Sequence, residues 1–82
     1  MKKLYYFYSN SCAPCDTMSP IMDRIGRQLP LEKIDTDYTP DVPERYKVMS
    51  IPTVILTKDN QETARFGGIR SEAQVIEFYN NG

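Results

Sequence analysis

The 82-residue chain contains no histidine and no tryptophan, and only two cysteines. A structural zinc site takes four nitrogen or sulfur ligands. Two thiolates without histidine fall short of that, unless a dimer shares two such pairs. Two cysteines in one short motif are no disulfide scaffold either. No basic cluster exceeds two residues, and the formal net charge is −1. That argues against nucleic acid or an anionic membrane as the main partner. No apolar run approaches the ~20 residues that span a bilayer. Leu4 to Tyr8, behind Lys2 and Lys3, is too short and too rich in tyrosine to be the apolar part of a signal peptide. Repeats, low-complexity segments and linkers are absent as well. These absences predict a single domain over residues 1–82, a monomer in the cytoplasm with its thiols in a reducing compartment.

What is present is organised around Ser11-Cys12-Ala13-Pro14-Cys15. The motif follows the apolar run Leu4 to Tyr8 and precedes apolar residues at helical spacing: Met18, Ile21, Met22, Ile25 and Leu29. Two thiols at this spacing can close a small disulfide ring and open it again. As a purely structural disulfide the ring stabilises little, because it closes so short a loop. A cysteine at a helix N-terminus faces free backbone N–H groups and the positive end of the helix dipole, both of which favour its thiolate. A fall in thiol pKa from about 8.5 to about 7 favours the charged form by roughly 2 kcal/mol. Cys12, at the helix mouth, is therefore the expected attacking thiol, and Cys15, one turn in, the resolving one. Pro14 fixes φ near the helical value where a missing N–H does no harm. Asp16 suits the first helical turn, but its charge opposes thiolate formation and offsets part of the helix's effect on Cys12.

Lys3 to Tyr8 reads as a strand with aromatics on both faces, hence central in a sheet and part of the core rather than a base-stacking surface. A helix is predicted over Ala13 to Gln28, kinked at Pro20. Leu31 to Thr36 is a second strand, and Thr39 to Lys47 holds one or two helical turns. Thr53 to Thr57 is β-branched and reads as a strand. The polar turn Lys58-Asp59-Asn60-Gln61 joins it to an edge strand, Glu62 to Phe66, which Gly67-Gly68 ends. Ser71 with Gln74 forms a capping box that opens a last helix burying Val75, Ile76 and Tyr79. The order is β-α-β-(short α)-β-β-α. It predicts an α/β fold with a right-handed first crossover and a four-stranded mixed sheet flanked by helices on both faces.

This order and these motifs resemble the thioredoxin family, over nearly the whole chain from Leu4 onward. The landmarks are the CxxC between strand and helix, Pro20 five residues past Cys15, Lys33-Ile34-Asp35-Thr36-Asp37 as the second strand, Ser50-Ile51-Pro52-Thr53 as the cis-proline segment, and Phe66-Gly67-Gly68 as the glycine turn. Three features depart from the family. Its usual N-terminal strand and helix are missing, Ser11 replaces the tryptophan before the first cysteine, and Tyr6 replaces the buried acid six residues before it.

The resemblance implies a thiol–disulfide oxidoreductase that reduces protein disulfides and binds no cofactor. It implies electrons from an NADPH-dependent, flavin-containing thioredoxin-type reductase, with ribonucleotide reductase or peroxide-scavenging enzymes among the disulfide-bearing partners. Pro14 goes with a reducing potential. Pro52 is expected cis, with Ile51 offering its backbone N–H and C=O to an extended peptide. Ser11, Asn10, Gly67 and Gly68 rim the same groove, although turn chemistry alone also accounts for them. Two other readings compete: a glutaredoxin-like protein recharged by glutathione, which the short chain favours and Ser50-Ile51-Pro52-Thr53 disfavours, and a non-catalytic binding module on the same fold. With Tyr6 unable to act as a base near neutral pH, solvent or Asp35 is left to take the proton of Cys15. Asp35 shares a strand face with Lys33 and Asp37 if the period of two continues.

Overall fold

The computed structural model describes residues Met1–Gly82. Seven elements follow in order: β1 (Lys2–Tyr8), α1 (Ala13–Ile25), β2 (Leu31–Asp35), α2 (Asp41–Arg45), β3 (Thr53–Lys58), β4 (Gln61–Gly67) and α3 (Glu72–Asn81). The strands form one sheet in the order β2-β1-β3-β4. β1 runs parallel to β2 and antiparallel to β3, and β3 and β4 make an antiparallel hairpin. This is the expected mixed sheet, with β1 central and β4 at an edge.

The period of two along β1 divides the core. Leu4 and Tyr6 are buried with Met18, Met22 and Ile25 of α1, Val54 and Leu56 of β3, Phe66 and Val75. On the opposite face Phe7 packs with Ile34 and Ile55, covered by Val42 and Tyr46 from the α2 region. The Tyr46 ring lies 5.6 Å from that of Tyr5 and 6.1 Å from that of Phe7. Phe66 and Phe78 meet edge to face at 4.9 Å, fastening α3 to the sheet. The aromatic run of β1 is thus core on both faces, as its central position requires.

Three local expectations change. The first helix ends at Ile25 rather than Gln28, because the chain tightens there: Arg27 N–H bonds the Arg24 carbonyl and Gln28 N–H the Ile25 carbonyl, three residues back rather than four. A Cβ at Gly26 would stand 3.2 Å from Leu31 Cδ2, so glycine lets β2 begin close behind the helix end. The helix continues through Pro20, which lies on its exposed side. The hairpin turn has two central residues, Asp59 and Asn60, both at positive φ (53° and 71°), the twist that two-residue hairpins favour. Finally β2 stops at Asp35, so Asp37 does not share a face with Lys33. Asp35 Oδ1 accepts the Asp37 N–H (2.9 Å), and the Asp35 carbonyl accepts those of Tyr38 and Thr39, turning the chain away from the sheet. The Ser71–Gln74 capping box of α3 is present in both directions.

Sheet register brings the marked residues to one end of the molecule. Tyr8 pairs with Asp35, Phe7 with Thr53, and Thr53 with Gly67. The loop carrying the cysteines, the turn after β2, the segment before β3 and the end of β4 therefore adjoin.

Candidate active site

Cys12 is the N-cap of α1, in extended conformation (φ −104°, ψ 112°), with Pro14 in the first turn. Its sulfur is bonded to that of Cys15, and the two Cα atoms are 5.2 Å apart. Cys12 Sγ also accepts the Cys15 backbone N–H at 3.2 Å. A serine or aspartate at an N-cap accepts a helix N–H in the same way, so a thiolate at Cys12 would sit where an N-terminal donor already points. Cys12 is half-buried, whereas Cys15 is buried, with 1% of its surface exposed. Cys12 is thus the more accessible of the two sulfurs and the one that receives a helix N–H. Asp16 is exposed in the first turn of α1.

Tyr6 lies beneath the motif, fully buried. Its hydroxyl is 2.9 Å from Ser19 Oγ and 3.5 Å from the Cys15 carbonyl oxygen. In this disulfide form it is therefore engaged by Ser19 and the backbone rather than by a sulfur. Burial pushes its pKa up, opposed by the Ser19 hydrogen bond and the charge of Lys33. Tyr6 is thus a neutral packing residue with a satisfied hydroxyl. The carboxylate of Asp35, occupied by the Asp37 amide, makes no hydrogen bond to either cysteine.

The Ile51–Pro52 peptide bond is cis. Thr53 Oγ1 donates to the Ser50 carbonyl (2.6 Å), and Gly68 N–H to that of Pro52 (3.0 Å), fixing the segment from both sides. Gly68 has φ +83°, a conformation that favours glycine. The neighbouring Gly67 would place a Cβ 3.7 Å from the Pro52 carbonyl oxygen. Ile51 packs its side chain on the second core cluster, while its backbone N–H and C=O make no hydrogen bond within the chain. An open groove of about 610 Å³ continues from Ile51 toward α2, with Pro40, Pro43, Val48 and Met49 in its wall.

Two further sets of residues, not singled out from the sequence, support this end of the molecule. Ser9 is buried and donates to Asp37 Oδ2 at 2.7 Å, and its hydroxyl is 2.9 Å from that of Ser11. Arg65 of β4 donates to the Tyr46 carbonyl (2.6 Å) and that of Lys47 (3.5 Å), while Glu62 holds the same guanidinium through two bonds of 2.5 and 2.6 Å. Lys47 has φ 56° and begins the run into Ile51. The Glu62–Arg65 bonds hold the Glu62 carboxyl below its ordinary range. A carboxyl with a lowered folded-state pKa contributes stability above its unfolded pKa and loses it as pH falls through the folded one, so the clamp is intact at neutral pH and opens only in acid. Arg65→Ala is expected to loosen Tyr46 to Ile51 and to raise KM for a protein disulfide about three- to tenfold, with kcat changing less. An unchanged KM in steady-state assays would remove Arg65 from this role. No group of three His, Cys, Asp or Glu residues is placed to hold a metal ion, and no helix is long and apolar enough to cross a membrane.

Comparison with known proteins agrees with the geometry. The family model Thioredoxin matches residues 2–81. A thioredoxin-like protein of Synechocystis is 37% identical over 75 residues, 87% of this chain and 71% of its own length. The thioredoxin of Chlamydia trachomatis is 35% identical over 74 residues, 87% of this chain and 72% of its own length. Among solved structures, a malaria-parasite thioredoxin-2 superposes with a TM-score of 0.90 at 26% identity, covering 100% of this chain and 84% of that one. A Halobacterium salinarum thioredoxin mutant shares the fold, with a TM-score of 0.89 at 24% identity over 98% of this chain and 73% of that one.

Proposed function

From the premise that this chain belongs to the thioredoxin family, we propose that its thiol–disulfide oxidoreductase activity runs toward reduction of protein disulfides in the cytoplasm, with electrons from an NADPH-dependent thioredoxin-type reductase. The asymmetry of the pair supports an exchange led by Cys12: Cys12 is accessible and receives a helix N–H, while Cys15 is buried.

In the proposed cycle the Cys12 thiolate attacks one sulfur of a substrate disulfide. A Cys12–substrate disulfide forms, and the other substrate sulfur leaves as thiolate and takes a proton from solvent. Cys15 then loses its proton and attacks Cys12 Sγ. The Cys12–Cys15 bond forms, the mixed bond breaks, and the second substrate sulfur leaves. Two electrons pass from the protein to the substrate, and the resulting protein disulfide is the state described above. The extended substrate chain lies along Ile51, whose unpaired N–H and C=O provide a place for strand addition, with Ser11, Pro52 and Gly67 around it.

A coupled assay tests the direction and electron source. NADPH consumption with a protein disulfide is expected when a thioredoxin-type reductase is supplied. Turnover with glutathione and glutathione reductase alone would instead favour the glutaredoxin-like reading.

A further inference from the structure

A single residue closes the turn that leads from β1 into α1. The Ser9 carbonyl accepts the Cys12 N–H at 3.3 Å, and the Ser9 hydroxyl accepts the Ser11 N–H at 3.2 Å. A serine side chain commonly stabilises a turn in this way. The hydroxyl is itself held from another element. A carboxylate only accepts, so Ser9 gives its hydrogen to Asp37 Oδ2, 2.7 Å away in the turn after β2. Such a bond to a charged acceptor is shorter and stronger than a neutral one. Ser9 is 4% exposed, so water does not readily replace these partners, whereas Asp37 lies exposed. Through Ser9 the hydrogen bonds therefore run from Asp37 to the backbone of Cys12, whose sulfur receives the Cys15 N–H.

We infer that Ser9, locked by Asp37, is a positioning residue for Cys12: it fixes the turn that sets the Cys12 sulfur on the Cys15 N–H. A side chain at an N-cap reaches a helix N–H only when its own backbone is extended. Cys12 has that conformation, φ −104° and ψ 112°, and the bond from its N–H to Ser9 holds it there. Without the Asp37 acceptor the Ser9 hydroxyl rotates, the turn loosens, and the sulfur meets the N–H for a smaller share of the time. A hydrogen bond donated to a thiolate favours it, so the pKa of Cys12 rises when the lock is lost. Loss of the Asp37 charge acts in the opposite sense, which a comparison of two neutral replacements cancels. The other titratable groups around the motif are Asp16 in the first turn of α1, the Lys33–Asp23 pair between β2 and α1, and Tyr6 and Tyr8 on β1. Ser50 to Pro52 and Gly67 to Gly68, on the remaining side, carry none.

Asp37→Asn keeps an acceptor for the Ser9 hydrogen and Asp37→Ala keeps none, while both remove the same charge. The pH midpoint of alkylation of the reduced protein is expected to lie about 0.5 higher in Asp37→Ala than in Asp37→Asn. That is an about threefold lower thiolate-to-thiol ratio at pH values below both midpoints. Amide hydrogen exchange at Ser11 and Cys12 is expected to quicken in Asp37→Ala and to stay near the wild-type rate in Asp37→Asn. In the Ser9→Ala background the two replacements at position 37 are expected to give the same midpoint. Equal midpoints and equal exchange in the two single variants, or a difference that persists in Ser9→Ala, would overturn the inference. Because Asp37 is exposed, both single variants are compatible with the fold, and their comparison decides the matter even where Ser9→Ala does not fold. The inference rests on the reading of Cys12 as the attacking thiol, and peptide mapping of the alkylated site separates the two. Label on Cys15 would overturn that reading and the inference together, whereas label on Cys12 with equal midpoints would overturn the inference alone.

Discussion

Cys15→Ala is expected to leave the protein covalently joined to its substrates, and Cys12→Ser to lose disulfide reduction by about three orders of magnitude or more. The reasons lie in the different surroundings of the two sulfurs. Cys12 caps α1 and is half-exposed, so without Cys15 it can still attack, but nothing inside the protein can release the mixed disulfide. Cys15 is 1% exposed, so without Cys12 no substrate disulfide reaches it. Alanine suits the trap better than serine, because a hydroxyl at this buried position would need a partner, while the small cavity costs about 1 kcal/mol. The adducts are read on non-reducing gels and by mass spectrometry, which also name the substrates. Cys12→Ser protein that retains its biological activity would favour a non-catalytic docking role for the fold. Stable adducts formed on Cys15 in Cys12→Ser would reverse the assignment of nucleophile and resolving cysteine.

The second large effect concerns release of the mixed disulfide. Cys15 must lose a proton before it attacks, and neither the Tyr6 hydroxyl nor the Asp35 carboxylate is hydrogen-bonded to its sulfur. The Tyr6 hydroxyl is raised in pKa by burial and engaged with Ser19. The Asp35 carboxylate is engaged by the Asp37 amide. Proton loss then falls to solvent, and the rate follows the thiolate fraction of Cys15. Raising the pH raises that fraction, so decay is expected to accelerate by about tenfold per pH unit until the pKa of Cys15 is passed. Stopped-flow measurement of decay between about pH 6 and about pH 9 covers the ordinary thiol range. A fast decay independent of pH would show that an internal base exists. Asp35→Asn is expected to change the rate little, and a strong slowing confined to that variant would make Asp35 the base. Tyr6→Phe is likewise expected to keep the same pH dependence, since it removes a hydroxyl that is not a base.

Features with local causes were legible in the chain of residues alone. A period of two in Tyr5, Tyr6, Phe7 and Tyr8 implies a strand covered on both sides, because successive side chains point to opposite faces. A capping box and a helical apolar stripe mark α3 and α1, because their partners lie within a few residues of one another. The CxxC at a strand–helix junction carries its chemistry in the same way, since the N–H that Cys12 receives comes from Cys15, three residues on. Asp35 shows where local reasoning stops. The face it shares with Lys33 does not extend to Asp37, because the backbone turns after β2, and its carboxylate caps that turn. The contacts that emerged only on folding join residues separated along the chain: Ser9 to Asp37, Tyr6 to Ser19, and Arg65 to the Tyr46 carbonyl. Each depends on strand register and on where a helix lies over the sheet. Sequence spacing carries no record of either, because the same serine, tyrosine or arginine satisfies its hydrogen bonds equally well in water until the sheet encloses it.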